Sequence, residues 1–161
     1  MEAIMITSIN GLQDIHTVIR NERKVGGAVE AERIRLCSGE EYAYPVITSV
    51  DTDGKTIYSI GFFTNDGTRI IANISEVAQI SQPSHKWLKD LVNTNYKSFK
   101  IGQKVNYLLR LCELNEGSAT SIFRAEVERI VEDIGADSIA HVKNAHPILQ
   151  HSAKILPMRI A

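Results

Sequence analysis

The sequence predicts an α+β protein that is mainly β: a small OB-like antiparallel barrel in the order β-β-β-α-β-β, with an N-terminal helix and a C-terminal helical or extended tail. Three observations predict this class. Two turn motifs separate three β-branched segments, an amphipathic helical pattern follows, and two segments of alternating hydrophobicity come next. The 161-residue chain is 43% hydrophobic, which is enough for a core and too much for a disordered chain.

The N-terminal segment INGLQDIHTVIRNERK predicts a short helix, which Gly26 and Gly27 would end. Four apolar side chains recur there at helical spacing: Leu12, Ile15, Val18 and Ile19. The next segment, 28–37, is ambiguous. Its Ala, Glu and Arg residues favour helix, whereas Ile34 and Leu36 alternate with arginines as in a strand.

The middle of the chain predicts a three-stranded antiparallel meander. Its segments are YPVITSV, KTIYSIGFF and TRIIANI, all rich in β-branched or aromatic residues. The motifs DTDG at 51–54 and NDG at 65–67 separate them. Because Gly takes a positive φ at little cost, and Asn and Asp tolerate one, both motifs predict hairpin turns.

A helix and a closing hairpin are predicted after the meander. Pro83-Ser84 is typical of a helix start, and residues 93–95 would end that helix. The segments KVNYLLRLCEL and TSIFRAEVERIVED then alternate, and NEGS at 115–118 would join them. A helix over 121–133 is the alternative, because Glu and Arg are good helix formers. The order of elements over residues 42–131 is that of an OB-fold, although SH3-like barrels share these signals.

We therefore expect three parts: an N-terminal helical extension and lead-in at 1–41, an OB-like barrel domain at 42–134 and a C-terminal tail at 135–161. Pro147 and Pro157 interrupt the tail, which is otherwise apolar. A short helix over Ser138 to Ala145 would begin it. An apolar tail predicts docking, either on its own domain or on a partner.

The two adjacent phenylalanines of the second strand point to opposite faces of the sheet. Phe62 shares a face with Tyr58 and Ile60, which predicts core. Phe63 points to the outer face, where Arg69 and Asn73 of the third strand would also lie. An aromatic ring, an arginine and an asparagine on the outer sheet of such a barrel predict an oligonucleotide-binding surface. The alternative is that the N-terminal helix or the tail covers this face.

Charge changes sign along the second half of the chain. From Lys86 to Cys112 there are six basic residues and one acid, a net of +5, and from Glu113 to Asp137 the net is −5. The basic segment includes NYKSFK, whose mixed rings and cations suit single-stranded nucleic acid. The alternative is that Lys104 and Arg110 pair across strands with Glu126 and Glu128. The net charge of −1 limits any nucleic-acid site to a local patch.

Nothing in the sequence predicts catalysis or a metal site. There is no nucleophile elbow, phosphate loop or dinucleotide fingerprint, and the histidines lack the i, i+4 spacing of metal ligands. Cys37 has arginine neighbours but no evident histidine base, and Cys37 and Cys112 fit reduced thiols. We therefore expect no catalytic residue, metal or cofactor, and no enzyme activity.

The sequence thus predicts a non-enzymatic protein that binds single-stranded nucleic acid on the outer sheet of an OB-like barrel. Its predicted contacts are Lys55, Phe63, Arg69, Asn73, Lys100, Lys104 and Arg110. The alternative is a protein-interaction module, a subunit, adaptor or inhibitor of a larger complex, that forms homo-oligomers or docks through residues 138–161. The N-terminus lacks a signal-peptide pattern and no apolar run could span a bilayer, so we expect a cytoplasmic protein with no membrane contact.

Overall fold

The computed structural model describes residues 7–117 and 120–140. It is an α+β structure with two antiparallel sheets, which confirms the predicted class. The chain divides into two compact units, residues 1–98 and 99–161. The predicted three-part division stays a prediction. No helix within the described ranges is long and apolar enough to cross a membrane.

The first unit begins with two helices and continues as short strands. The helices are α1 (Leu12–Arg20) and α2 (Glu22–Val25), which confirms the predicted N-terminal helix. The strands are β1 (Ala28–Glu30), β2 (Arg33–Leu36), β3 (Glu41–Ala43), β4 (Val46–Asp53), β5 (Thr56–Phe63), β6 (Arg69–Asn73), β7 (Val77–Ser81) and β8 (Ser84–Lys86). The ambiguous segment 28–37 therefore forms strands.

The strands form a five-stranded sheet in the order β6-β5-β4-β1-β8 and a three-stranded sheet in the order β3-β2-β7. The predicted meander is confirmed as β4, β5 and β6, in which Phe62 lies opposite Ile47 and Ile70. The first and last strands of the unit also pair, with Ala28 opposite Lys86. Neither sheet closes into a barrel among the described residues, so the OB-like barrel is not confirmed.

The core of the first unit joins side chains of α1 and of both sheets. Its buried members are Ile15, Val18, Val29, Ile34, Ile47, Val50, Ile60 and Phe62. Burial of Ile60 and Phe62 confirms two of the predicted core residues. The prediction that Tyr58 is core is wrong, since this side chain is 54% exposed. The β4–β5 register shifts between Asp51 and Thr52, and Ile57 packs against the core instead.

The second unit is helical in its described part. Helix α3 (Thr94–Leu114) begins in the first unit and continues into the second, which also contains α4 (Ser121–Ile134) and α5 (Asp137–Ala140). The Thr120 hydroxyl accepts the Phe123 N–H at 3.2 Å and caps the start of α4. Gly135, at φ 87°, follows its last residue.

The predicted closing strands over 104–114 and 121–131 are wrong, because both segments are helical. The alternation of apolar and polar residues in these segments is too short to distinguish a strand from a helix. The buried side chains recur at spacings of three and four instead, as Leu108 and Cys112 do in α3 and Phe123, Val127 and Ile130 do in α4. The helix that was the alternative for 121–133 is the one observed.

The predicted helix from Pro83 to Val92 is also wrong. Strand β8 occupies its first part because residues 84–86 pair with β1, and a single 3₁₀ turn, Leu88–Asp90, follows. Asn93, predicted near the end of a helix, lies just before the start of α3. The predicted helix over Ser138 to Ala145 lies only partly in the described residues, where α5 covers its beginning.

Candidate binding surfaces

A buried carboxylate organises one end of the first unit. Glu30 is fully buried on β1, and its side chain accepts the backbone N–H of Val92 at 3.1 Å and of Asn93 at 2.8 Å. The Lys86 ammonium lies 2.8 Å from the same carboxylate. Burying a charge is costly unless it is paired and hydrogen-bonded, and Glu30 has both kinds of partner. The strand and the segment before α3 are therefore joined at this point.

Asn93 extends this connection to three other segments. Its buried side-chain amide donates to the carbonyl oxygens of Tyr44, Phe63 and Thr64 at 3.0 to 3.2 Å. Its carbonyl oxygen accepts the Tyr96 N–H at 3.0 Å, which is the hydrogen bond of a helix N-cap. One side chain thus fixes where α3 begins and where β5 ends.

Tyr96 covers the ring of Phe63. The two ring centroids are 5.3 Å apart and the planes are inclined by 51°, a common geometry for aromatic pairs. Tyr96 is buried and Phe63 is half-buried. At its Phe63 end, this face is therefore covered by the beginning of α3. Phe63 is not an open stacking platform.

The turn between β5 and β6 is fixed by its own side chains. The Thr64 hydroxyl and the Thr68 amide donate to the Asp66 carboxylate, and the Asn95 side chain donates to the Asn65 carbonyl at 2.6 Å. Hydrogen bonding, first from Thr64 and then from Thr68, holds the pKa of Asp66 below its usual value of 3.8. Gly67 has φ 92°, as the predicted turn requires.

The rest of the predicted sheet surface is open but lacks a continuous basic lining. Arg69 lies opposite Phe63, and Asn73 lies opposite Ser59, with both side chains exposed. Ser59 donates to Asp51 at 2.6 Å on the neighbouring strand, which places a carboxylate on this face. Lys55 is exposed in the turn before β5, about 26 Å along the strand from Phe63. The sheet therefore brings Phe63, Arg69 and Asn73 onto one face and leaves Lys55 remote.

The other three predicted contacts lie on α3 in the second unit. Lys100 and Lys104 are half-buried, and Arg110 is exposed. At 100° per residue, these side chains and Tyr107 fall within a sector of about 120° over about 15 Å of helix. We call Lys100, Lys104, Tyr107 and Arg110 the α3 basic face. These side chains therefore lie on a helix and not on the predicted strand.

Tyr107 is held in place on this face. Tyr107 is 46% exposed as a residue, and its hydroxyl donates to the Glu126 carboxylate of α4 at 2.9 Å. Among the described residues, no ion pair joins Lys104 or Arg110 to Glu126 or Glu128. The predicted alternative, cancellation of the two charged segments by cross-strand pairs, is therefore not observed.

The histidine and cysteine side chains that could be reactive differ in their burial and in their partners. His85 is buried between backbone groups, with Nε2 2.8 Å from the Gly26 carbonyl and Nδ1 accepting the Thr7 N–H at 3.1 Å. Burial raises the pKa of the Cys112 thiol, and Cys37 is exposed. The described residues contain no group of three or more His, Cys, Asp or Glu side chains that could hold a metal ion. His141, His146 and His151 lie outside the described residues.

Sequence reasoning missed Glu30 and the roles of Asn93 and Tyr96, whose ring in NYKSFK is buried rather than open for stacking. The available signals were an acidic residue between apolar ones in AVEA, and an Asn three residues before the ring that it caps. Comparison with protein families, curated proteins and solved structures finds no match for this chain.

Proposed function

We propose that the protein is a non-enzymatic binding protein for single-stranded nucleic acid and that it binds through the α3 basic face. The observation that carries the proposal is the placement of three cations and a fixed, exposed tyrosine ring on one side of one helix. Cations neutralise phosphates, and a ring stacks on any base, so this combination favours single strands without sequence preference. The proposed nucleic-acid contacts do not include Phe63, Arg69 or Asn73, which lie in the first unit.

The geometry of α3 matches a short segment of a strand. About 15 Å of helix corresponds to about four nucleotides at 3.4 Å each. The Tyr107–Glu126 hydrogen bond fixes the ring before binding, which lowers the entropy lost when a base stacks on it. Within α3 only Glu113 is acidic. Because Glu126 also places a carboxylate beside Tyr107, we expect weak, salt-sensitive binding.

Fluorescence anisotropy with a labelled 12-nucleotide oligothymidine at low salt tests the proposal. Lys104→Glu and Arg110→Glu should each weaken binding at least several-fold and reduce the salt slope by about 0.7 for each phosphate that is no longer neutralised. Arg124→Glu is the matched control, because Arg124 lies about 200° around α4 from Glu126, the residue bonded to α3. It should bind like the unaltered protein.

Two further variants separate stacking from charge. Tyr107→Phe keeps the ring and should retain most of the affinity, whereas Tyr107→Ala should weaken binding by about 1–3 kcal/mol because no ring remains for a base to stack on. Glu126→Gln keeps an acceptor for the Tyr107 hydroxyl and removes the charge, so it should bind more tightly. Absence of binding at low salt, or an equal loss of affinity in Arg110→Glu and Arg124→Glu, would refute the proposal.

A further inference from the structure

Strand β6 is an edge strand of the five-stranded sheet as described. Its residues alternate in exposure. Arg69, Ile71 and Asn73 are exposed, whereas Ile70 is half-buried and Ala72 is buried. Ile71 is 64% exposed, which makes it the most exposed of the large apolar side chains described in the first unit. The edge of this sheet therefore presents an apolar side chain between two polar ones.

The backbone of β6 has the same alternation. The Thr64 N–H donates to the Thr68 carbonyl at 2.8 Å, which makes these residues a hydrogen-bonded pair at the turn. In an antiparallel ladder such pairs alternate with non-bonded ones. Phe62–Ile70 and Ile60–Ala72 are then the bonded pairs of the β5–β6 ladder. The N–H and C=O groups of Arg69, Ile71 and Asn73 consequently point away from β5.

This edge carries one feature that opposes strand pairing, the charged side chain of Arg69 at its first residue, and lacks the others. Proline, charged side chains (lysine above all), bulges and very short length are the common ones. The sequence of β6, RIIAN, has no proline or lysine, and its register with β5 shows no shift. By contrast, the edge strands β3 and β8 have three residues each, and β7 is irregular against β2. Among the described edges, β6 is the one suited to accept another strand.

We propose that β6 pairs antiparallel with β6 of a second copy of this chain, centred on Ile71, so that two five-stranded sheets become one. In this register Ile71 lies opposite Ile71 of the second copy, and Arg69 lies opposite its Asn73. The outward backbone groups of all three residues find partners. The contact is two-fold symmetric and closes as a dimer.

Charge and shape favour a second copy as the occupant. The register places each arginine against an amide rather than against another arginine. The two Arg69 side chains lie about 13 Å apart along the strands, beyond the Debye length of about 8 Å at physiological salt. On the other side of the strand, Ile70 faces the small Ala72 of the second copy. The strand is thus complementary to itself when reversed.

The contact does not involve the α3 basic face, so self-association and nucleic-acid binding can succeed or fail separately. Sedimentation velocity on the full chain from about 1 to about 200 μM tests it. A monomer has a mass of 17.9 kDa. We expect a concentration-dependent shift towards about twice that mass, because a five-residue strand pair is a small interface.

Ile71→Pro is the decisive variant. The Ile71 N–H points away from β5, so proline removes the donor needed by the second copy and leaves the β5–β6 ladder intact. It should remain monomeric at the highest concentration with an unchanged circular dichroism spectrum. Tyr58→Lys is the matched control, since it removes an exposed apolar side chain away from the edge. It should still dimerise.

Cross-linking tests the register. In a Cys37→Ser background, Ile71→Cys should oxidise to a covalent dimer, because the paired Cα atoms would be about 5.5 Å apart. Arg69→Cys should not, because each residue 69 faces residue 73. A protein that stays monomeric at the highest concentration, or a dimer that Ile71→Pro leaves intact, would overturn the proposal. A dimer in which Arg69→Cys cross-links and Ile71→Cys does not would overturn its register.

Discussion

The Glu30 carboxylate accepts the backbone N–H of Asn93 at 2.8 Å, and both side chains are completely buried. This hydrogen bond joins the first strand of the sheet to the residue that caps α3. Around it, Lys86 balances the charge, and the two N–H groups of the Asn93 amide are shared among three carbonyl oxygens. The stability of the first unit should therefore depend strongly on a few polar groups.

Glu30→Gln should destabilise the first unit by about 3 kcal/mol. Glutamine places an NH₂ donor where the carboxylate accepts N–H groups and leaves Lys86 without its counter-charge. Glu32→Gln, an exposed neighbour, should change stability by less than about 0.5 kcal/mol. Urea unfolding followed by fluorescence measures both, since the single tryptophan, Trp87, lies in this unit. Equal midpoints for the two variants would contradict the buried role of Glu30.

Asn93→Ala should also cost about 3 kcal/mol. It removes the N-cap acceptor of α3, worth about 1 kcal/mol, and leaves three carbonyl oxygens without the amide donor. Asn106→Ala, at an exposed position inside α3, is the control and should be neutral or slightly stabilising. The same urea titration compares them. An effect confined to helix content, with no change in the Trp87 transition, would contradict the proposed link between α3 and the sheet.

Acid should remove a specific contribution from the β5–β6 turn. The folded pKa of Asp66 lies below its unfolded value of 3.8, so the ionised form is favoured by folding. Its contribution is fully present above about pH 4 and is lost as the pH falls through the folded pKa. Stability curves from about pH 6 to about pH 2 should therefore show the advantage of the unaltered protein over Asp66→Asn shrinking below about pH 4.

Thr64→Val checks the cause of that pH dependence. It removes the hydroxyl that contributes most to lowering the pKa of Asp66. In this background the difference caused by Asp66→Asn should be smaller and should disappear at a higher pH. An unchanged pH profile would assign the effect to another group.

Two glycines with positive φ should respond very differently to alanine. Gly27 has φ 70°, and a Cβ there would meet the Lys86 carbonyl oxygen and the His85 ring. Gly54 has φ 62°, and nothing lies within 4 Å of its Cβ position. Gly54→Ala should cost about 1 kcal/mol for backbone strain alone, and Gly27→Ala about 2 kcal/mol more for overpacking. Thermal unfolding monitored by circular dichroism distinguishes them; similar melting temperatures would count against the close β1–β8 approach.

Replacing Phe62 and replacing Phe63 with alanine should lower stability by different amounts, and only Phe63 should couple to Tyr96. Phe62→Ala empties a fully buried core position and should cost about 3–5 kcal/mol. Phe63→Ala should cost less and should couple to Tyr96→Ala by about 1 kcal/mol, because the two rings pack together. Phe62 and Tyr96 occupy different faces and should be additive. A double-mutant cycle for each pair, measured by urea unfolding, decides this.

Local patterns predicted the parts of the fold that local interactions determine. The meander β4–β5–β6 follows from two turn motifs between neighbouring strands, and α1 follows from its apolar spacing. Strand β8 escaped prediction because its partner β1 lies far away in the chain, and three residues carry no periodicity. In 104–114 and 121–131, alternation over a few positions predicts strands, but so short a pattern is also compatible with the helical period.

The candidate site shows the same division. Strand parity correctly separated Phe62 from Phe63, since parity is a local property. What covers Phe63 depends on Tyr96, which depends in turn on Asn93 and Glu30. The contacts of Tyr96 with Phe63 and of Asn93 with Glu30 join residues that are far apart in the chain, so no local sequence pattern predicts them. The basic residues were identified by charge alone, and their grouping changed once the segment proved helical.

The antiparallel pairing of β1 with β8 has a mechanical consequence. Ala28 lies opposite Lys86, and Glu30 lies opposite Ser84. A force that pulls the chain apart at residues 28 and 86 acts on the same end of this pair, so it peels the residue pairs one at a time instead of shearing them together. The backbone of Glu30 is the last of β1 to separate, but its carboxylate binds the side chain of Lys86, one of the two pulled residues, and also holds Val92 and Asn93. Under a pulling force, the contacts of the Glu30 carboxylate should be the first in this unit that strongly resist separation of the strands.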